Sequence, residues 1–102
     1  SNANVSLQLA SDRNASVFLG GTTPVFQYFM ENNETSSCAS GLTPATFTDL
    51  NTTAPGTTVC PDPAQFRWSD NNDTIKVHIK ISIPEDAITG AHNATLTATG
   101  TG

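Results

Sequence analysis

The clearest pattern in the chain is a strict alternation of apolar and polar positions over residues 75–83. The apolar positions are Ile75, Val77, Ile79, Ile81 and Ile83, and the polar ones are Lys76, His78, Lys80 and Ser82. A period of two over this length predicts a long strand with one buried and one solvated face. Pro84 should end it because proline cannot donate a ladder hydrogen bond. We therefore expect the five apolar side chains in the core.

Shorter alternations predict the other strands, at residues 5–9, 15–19, 25–30, 46–50, 65–69 and 93–99. The segment Val25–Met30 carries aromatic residues on both parities, which predicts a strand covered on both faces and central in its sheet. The side chains expected to pack beside or opposite the long strand are Leu7, Val17, Trp68 and Leu96. No helix of useful length is indicated. About seven short strands separated by turn signals predict an all-β, antiparallel sandwich.

The middle of the chain, residues 31–63, has a weak pattern and contains both cysteines, Cys38 and Cys60. An even cysteine count in an exported protein favours a disulfide, which would tether this long segment. The alternative is a zinc site, but two cysteines without a CxxC or HxxxH spacing match it poorly.

Residues Asp73 to Gly100 resemble the closing hairpin of immunoglobulin-like modules in bacterial and archaeal cell-surface or secreted proteins. The matching positions are Ile75 to Ile83, Pro84, Asp86-Ala87, Gly90 and Ala94 to Thr99. Similar endings occur in domains attached to secreted glycosidases. The resemblance implies an immunoglobulin-like fold and a module within a larger protein. Residues 1–3 are typical of what tag removal leaves, so we place a single domain at residues 4–102.

Six N-glycosylation acceptor triplets occur in the 102 residues, at Asn4, Asn14, Asn33, Asn51, Asn72 and Asn93. Random placement at this composition would give roughly two. The excess predicts an extracellular or cell-surface glycoprotein with all six asparagines exposed, Asn4 and Asn93 on outward strand positions and the others in turns. Such density resembles archaeal envelope proteins, although a eukaryotic secreted protein would also fit. The alternative is chance matching in a chain rich in Thr and Asn.

The net charge of −5 argues against nucleic-acid binding by phosphate neutralisation. No apolar stretch is long enough to insert directly into a membrane. The scarce basic residues include Lys76, His78 and Lys80 on one predicted strand face, which could contact an anionic glycan or an acidic partner. An ordinary solvated face, with lysines that discourage edge pairing, is the plainer interpretation.

Two weaker candidate sites remain. Asp70 and Asp73 lie in a turn that could donate oxygen ligands to Ca²⁺, but the spacing is not that of an EF-hand loop. The aromatic residues Tyr28, Phe29 and Trp68 could stack on sugars, although a lone Trp is more often a core residue.

No catalytic motif is present, and we expect no enzyme activity and no cofactor. The sequence therefore favours a non-catalytic structural or spacer module of an extracellular or cell-envelope glycoprotein. Its partners would be other domains of the same chain or envelope proteins. The alternative is a carbohydrate-binding or adhesive module, possibly attached to a secreted hydrolase.

Overall fold

The computed structural model describes residues 4–39, 41–61, 65–69 and 71–101. Within them lie six strands and one short helix. In chain order these are β1 (Ser6–Ser11), α1 (Ala15–Phe18), β2 (Val25–Asn32), β3 (Thr48–Asp49), β4 (Thr57–Cys60), β5 (Ile75–Ser82) and β6 (Leu96–Thr101). The expectation of a nearly all-β chain is confirmed, with six strands in the described residues rather than about seven.

The strands form two antiparallel sheets of three strands each, with the orders β4-β1-β6 and β3-β2-β5. Strand β2 is central in its sheet, as its aromatic residues on both parities predicted. Strand β1 is central in the other sheet and is buried on both faces, with only Gln8 partly open. The two central strands carry the core because each is flanked by a neighbour on both sides.

One cluster of buried side chains is shared by the two sheets. Strands β1 and β4 contribute Leu7, Leu9, Val59 and Cys60, and the other sheet with its flanking segments contributes Phe26, Tyr28, Met30, Cys38 and Leu50. The burial of Leu7 confirms its expected place in the core, and Leu96 packs partly buried against the cluster. Two half-apolar sheets thus bury their facing side chains against each other, the usual reason for a two-layered β-structure.

The core prediction for the long strand is wrong in its main part. Strand β5 forms as expected, but only Ile75 packs against the core. The remaining apolar residues are exposed, namely Val77, Ile79, Ile81 and Ile83. The physical reason is the position of β5 at the edge of its sheet, since a period of two defines a face of a strand but not whether a second layer covers that face.

Two other expected core residues, Val17 and Trp68, are also exposed, at 60% and 49%. Residues 15–19 form the single-turn helix α1 and the residue that follows it, not a strand. Asn14 caps this turn by accepting a hydrogen bond from the Val17 N–H at 2.9 Å, and short helical turns can share the alternation of a strand. The predicted strand at 65–69 is reduced to isolated bridges from Phe66 to Val5 and Cys38.

The predicted closing hairpin is not formed, because β5 pairs with β2 while β6 pairs with β1 in the other sheet. The connection between them instead docks on the Gly20-Gly21 turn. Asp86 accepts hydrogen bonds from the Thr22 N–H at 2.8 Å and from the Thr22 hydroxyl at 2.6 Å. Both glycines have positive φ, and a Cβ on Gly20 would overlap Ile88 of this connection.

Cys38 and Cys60 form the expected disulfide, with a Cα–Cα distance of 5.9 Å. Both residues are buried. The bond joins the end of β4 to the segment that follows β2 and so tethers the middle of the chain, as predicted. This segment is not structureless, since β3 and β4 both lie in it.

Candidate functional site

The candidate site is strand β5 and its neighbour β2, whose register is continuous over eight residue pairs. Directly opposed residues in an antiparallel pair project on the same face of the sheet. Phe29 lies opposite His78 and Gln27 opposite Lys80, and these side chains form the outer face. Phe26, Tyr28 and Met30 lie opposite Ile81, Ile79 and Val77 on the inner face, toward the core. The strand therefore presents two different surfaces.

The outer face brings together the three basic residues predicted to form a ligand face, Lys76, His78 and Lys80. The His78 ring stacks on Phe29, with centroids 4.2 Å apart and planes inclined by 7°. Phe29 in turn meets Phe47 edge to face at 4.8 Å. Phe47 precedes β3 and is exposed, so the outer face also carries an aromatic cluster, which the alternation of residues did not predict.

The charges on this face are only partly compensated. Glu31 Oε1 lies 3.8 Å from Lys76 Nζ and 3.4 Å from His78 Nε2. Lys80 Nζ lies 5.5 Å above the Phe47 ring and forms no ion pair with any carboxylate in the described residues. Lys80, near the far end of β5, is therefore a cation without an ion pair in the described residues, while Asp49 lies on the same face two strands away, beyond Gln27.

The inner face of β5 is the most unusual surface of the molecule. We call Val77, Ile79 and Ile81 the apolar strip; they are 39%, 39% and 48% exposed. Their cross-strand partners Phe26, Tyr28 and Met30 on the same face are almost fully buried. Strand β6, at the edge of the other sheet, has only partly buried or exposed residues. The two layers therefore cover the central strands and leave the strip open to solvent.

The free edge of β5 lies beside this strip. β5 pairs with β2 on one side, and in the described part of the chain no strand pairs with its other side. No backbone hydrogen bond joins residues 75–82 to a loop of that part either. An edge strand of eight residues with open N–H and C=O groups is a template for pairing with another chain.

The proposed calcium turn is only partly visible, because Asp70 lies outside the described residues. The backbone N–H of Asp73 donates to Glu34 Oε1 at 3.2 Å, and the Thr74 hydroxyl donates to the same oxygen. These bonds, with that from Thr74 the stronger, hold the pKa of Glu34 below its ordinary value. Hydrogen bonds to Glu34 thus hold the described residues Asp73 and Thr74 in place. Binding of Ca²⁺ at this turn stays a prediction.

None of the six acceptor asparagines is buried. Asn4, Asn14, Asn33 and Asn93 are exposed, while Asn51 and Asn72 are half-buried. Asn72 Nδ2, the atom that would carry a sugar, donates to the Thr35 carbonyl at 2.8 Å. Asn4 and Asn93 lie just outside β1 and β6 rather than within strands, which corrects their expected placement. Occupancy of the six sites stays a prediction.

The three aromatic candidates for sugar stacking lie in different environments. Tyr28 is buried in the core, with its hydroxyl unpaired among the described residues, so it cannot stack on a sugar. Trp68 is exposed and lies outside the strands. Phe29 is half-buried between His78 and Phe47. Of the three, Phe29 alone belongs to the outer face of β5 and β2.

Residue types suited to catalysis are not gathered in the described parts of the chain. No group of three or more His, Cys, Asp or Glu there could hold a metal ion. A groove of about 290 Å³ beside α1 has one carboxylate, Asp49, which accepts a hydrogen bond from Gln27 Nε2 at 3.1 Å. His92 lies with Nδ1 2.7 Å from the Phe18 carbonyl oxygen and Nε2 2.5 Å from the Ile88 carbonyl oxygen, so each ring nitrogen faces a backbone acceptor.

Comparisons with protein-family models, with curated proteins and with solved structures find no match to this chain. In the described residues, no helix is both long and apolar enough to cross a membrane.

Proposed function

We propose that this chain is a non-catalytic assembly module of an exported glycoprotein and that another domain or protein covers its β5 edge. The observation that carries the proposal is the apolar strip. Its residues occupy inner-face positions, next to buried neighbours, yet they remain 39–48% exposed. A contiguous apolar surface on a strand with a free edge favours association, since covering it removes apolar area from water and pairs open backbone groups.

The disulfide and the glycosylation acceptor triplets bear on the compartment in which the protein works. The Cys38–Cys60 disulfide is typical of proteins that fold in an oxidising environment. The six acceptor triplets, none of them on a buried asparagine, suit glycans on the surface. These features favour an extracellular or cell-envelope location, either in an archaeal envelope or as a eukaryotic secreted protein. The two antiparallel sheets are also what this chain shares with immunoglobulin-like modules, although β5 and β6 do not pair as in their closing hairpin.

The proposal is tested by hydrogen exchange on material from the native host. The parent assembly and the isolated domain are compared by mass spectrometry, peptide by peptide. We expect amides of β5 to exchange more slowly in the assembly, because a covering partner would pair its free edge. Amides of β1, central in its own sheet, are the internal control and should be protected in both samples. Equally fast exchange of the β5 amides in both samples would refute the proposal.

A second function, glycan binding, is favoured by the outer face of β2 and β5. Phe47 is exposed and meets Phe29, and Lys80 lies over the Phe47 ring. Aromatic rings next to polar side chains are the components of sugar-stacking surfaces. A glycan array probed with the native domain and with Phe47→Ser tests this. Binding that Phe47→Ser loses supports it, and an array without any binding rejects it.

A further inference from the structure

The partner that covers β5 can be described further from the charges on this strand, an inference that rests on the proposed assembly function. We propose that β5 accepts an added β-strand from a different polypeptide, in which apolar residues alternate with acidic ones. The apolar residues would pack beside the apolar strip on the inner face. The acidic residues would lie beside Lys80 and His78 on the outer face. β5 would then be an interior strand of an extended sheet, and strand addition of this kind is a known mode of peptide recognition.

The backbone geometry supports an added strand rather than a helix or a loose contact. The residues of the strip lie at every second position of β5 and not at helical spacing. They also adjoin a strand edge that is unpaired in the described residues. A strand along this edge would pair the open N–H and C=O groups of β5. It would also place its own apolar side chains beside the apolar strip. A helix could cover the strip but would leave the backbone edge open.

The charges argue against a second copy of β5 as this strand. In a two-fold antiparallel pair, keeping the apolar strips on one face requires even-numbered residues to face even-numbered residues. Pairing centred on His78 would place Lys76 opposite Lys80, and pairing centred on Ile79 would place His78 opposite Lys80. Like charges directly opposed in a sheet are destabilising. The two lysines of the chain are both on this face, so self-pairing concentrates its positive charge.

The other edges of this chain do not supply the required pattern either. Among the described strands only β2 and β3 contain a carboxylate, at Glu31 and Asp49. β2 is already paired on both sides, and β3 has two residues. β6 has no charged residue, and its small residues Ala98 and Gly100 offer little side chain for covering the strip. A chain of different sequence therefore fits better than a second copy.

Lys80, on the edge strand itself, sets the preferred charge of that chain. Glu31 faces Lys76 and His78, so the end of β5 that carries them is partly compensated within the molecule. Lys80 has only the Phe47 ring as a partner in the described residues. A carboxylate on the incoming strand opposite Lys80 would make a cross-strand ion pair on an exposed sheet face. Acidic residues at the alternate positions are therefore favoured over basic ones.

The test uses three synthetic peptides, each as long as the 8 residues of β5. Valine alternates with glutamate in the first, with lysine in the second and with threonine in the third. Binding to the purified domain, with its disulfide intact, is measured by fluorescence anisotropy. We expect the glutamate peptide to bind at least about tenfold more tightly than the lysine peptide, with threonine between them. This ratio should shrink at high salt because exposed charges are screened.

Two variants separate the apolar and the charged contributions. Ile79→Ser should weaken all three peptides alike, and since Ile79 is half exposed the domain should still fold, which circular dichroism checks. Lys80→Gln should reduce the preference for glutamate over lysine and leave the threonine peptide unchanged. The matched control is Arg13→Gln, which removes a cation from the turn after β1 and should change none of the ratios.

The outcomes that overturn the inference differ from those that remove the proposed function. Equal affinity for the glutamate and lysine peptides would reject an acidic partner. Failure of all three peptides to bind would reject strand addition. Hydrogen-exchange protection by a bound peptide outside β5 would reject it as well. Self-association of the domain with protection of β5 would make a second copy the partner. In each case the exchange comparison on the native assembly would still decide whether β5 is covered there.

Discussion

The openness of the apolar strip leads to a quantitative prediction about two matched truncations. Leu9→Ala and Ile79→Ala each remove three carbon atoms from an inner-face position. Leu9 lies in the central strand β1 and is 5% exposed, whereas Ile79 lies in the edge strand β5 and is 39% exposed. The alternating pattern alone would predict similar costs for the two residues. The structure predicts different ones.

The magnitudes follow from the buried area and the cavity left behind. Burial is worth about 0.8 kcal/mol per CH₂, so three fully buried carbons contribute roughly 2.4 kcal/mol. At Leu9 a cavity would remain between the two sheets, which raises the expected cost to about 3–5 kcal/mol. At Ile79 only part of the side chain is buried, which lowers the contribution to about 1.5 kcal/mol, and the space opens to solvent instead of forming a cavity.

The assay is equilibrium unfolding in guanidinium chloride with the disulfide intact. We expect the free energy of unfolding to fall by about 1.5–3.5 kcal/mol more for Leu9→Ala than for Ile79→Ala. In thermal unfolding each kcal/mol corresponds to about 4–8 °C in a domain of this size. The control Lys80→Ala, on the outer face, should change stability by no more than about 0.5 kcal/mol. Equal losses at Leu9 and Ile79 in a monomeric sample would mean that the strip is covered in solution, and the reasoning about β5 would be refuted.

Three further predictions concern the disulfide, a close backbone contact and the acid range. Replacing Cys38 and Cys60 by Ala opens a loop with a sequence separation of 22 and should cost about 3 kcal/mol in the free energy of unfolding, so an unchanged denaturation midpoint would contradict a stabilising bond. Gly56→Ala should cost about 2–4 kcal/mol, because φ is +104° and a Cβ would overlap the Leu9 carbonyl. Gly41→Ala, with positive φ but open space around it, should cost about 1–2 kcal/mol in the same unfolding assay, and equal losses would argue against the overlap. The hydrogen bonds from the Thr22 hydroxyl and N–H lower the pKa of Asp86. Because the folded-state pKa lies below the unfolded one, near 3.9, their stabilisation is present above about pH 4 and lost as pH falls through the lowered pKa. Asp86→Asn should therefore flatten the fall in stability as the pH is lowered below about 4, and identical pH profiles would exclude this contribution.

Several features of the fold could be predicted from local sequence because local chemistry determines them. The alternation over residues 75–83 and the proline after it defined β5 almost to its ends. The aromatic residues on both parities of residues 25–30 indicated that β2 is central, since both faces of a central strand can be covered. Two cysteines in one chain permit a single intramolecular pairing, which the structure contains.

The short elements were predicted poorly. Residues 15–19 alternate as a strand would, but the Asn14 cap and one helical turn give the same spacing of Ala15 and Leu19. The signal that could have distinguished them was an asparagine directly before the segment, since asparagine is a favoured N-cap. The pattern did not predict β4, Thr57–Cys60, because four residues of which two are apolar, flanked by Gly and Pro, are too few to show a periodicity.

The candidate site shows the same division between local and tertiary information. The sequence determined that Lys76, His78 and Lys80 share one face of β5 and that the isoleucines share the other, because side chains in a strand alternate. Only the tertiary structure decided that the second sheet covers Tyr28 and Met30 but leaves Ile79 open, and that Phe47 and Phe29 join the basic face. Burial depends on what lies across from a strand, which is set by sheet order and by contacts between residues distant in sequence. The residue pattern along a single strand does not contain that information.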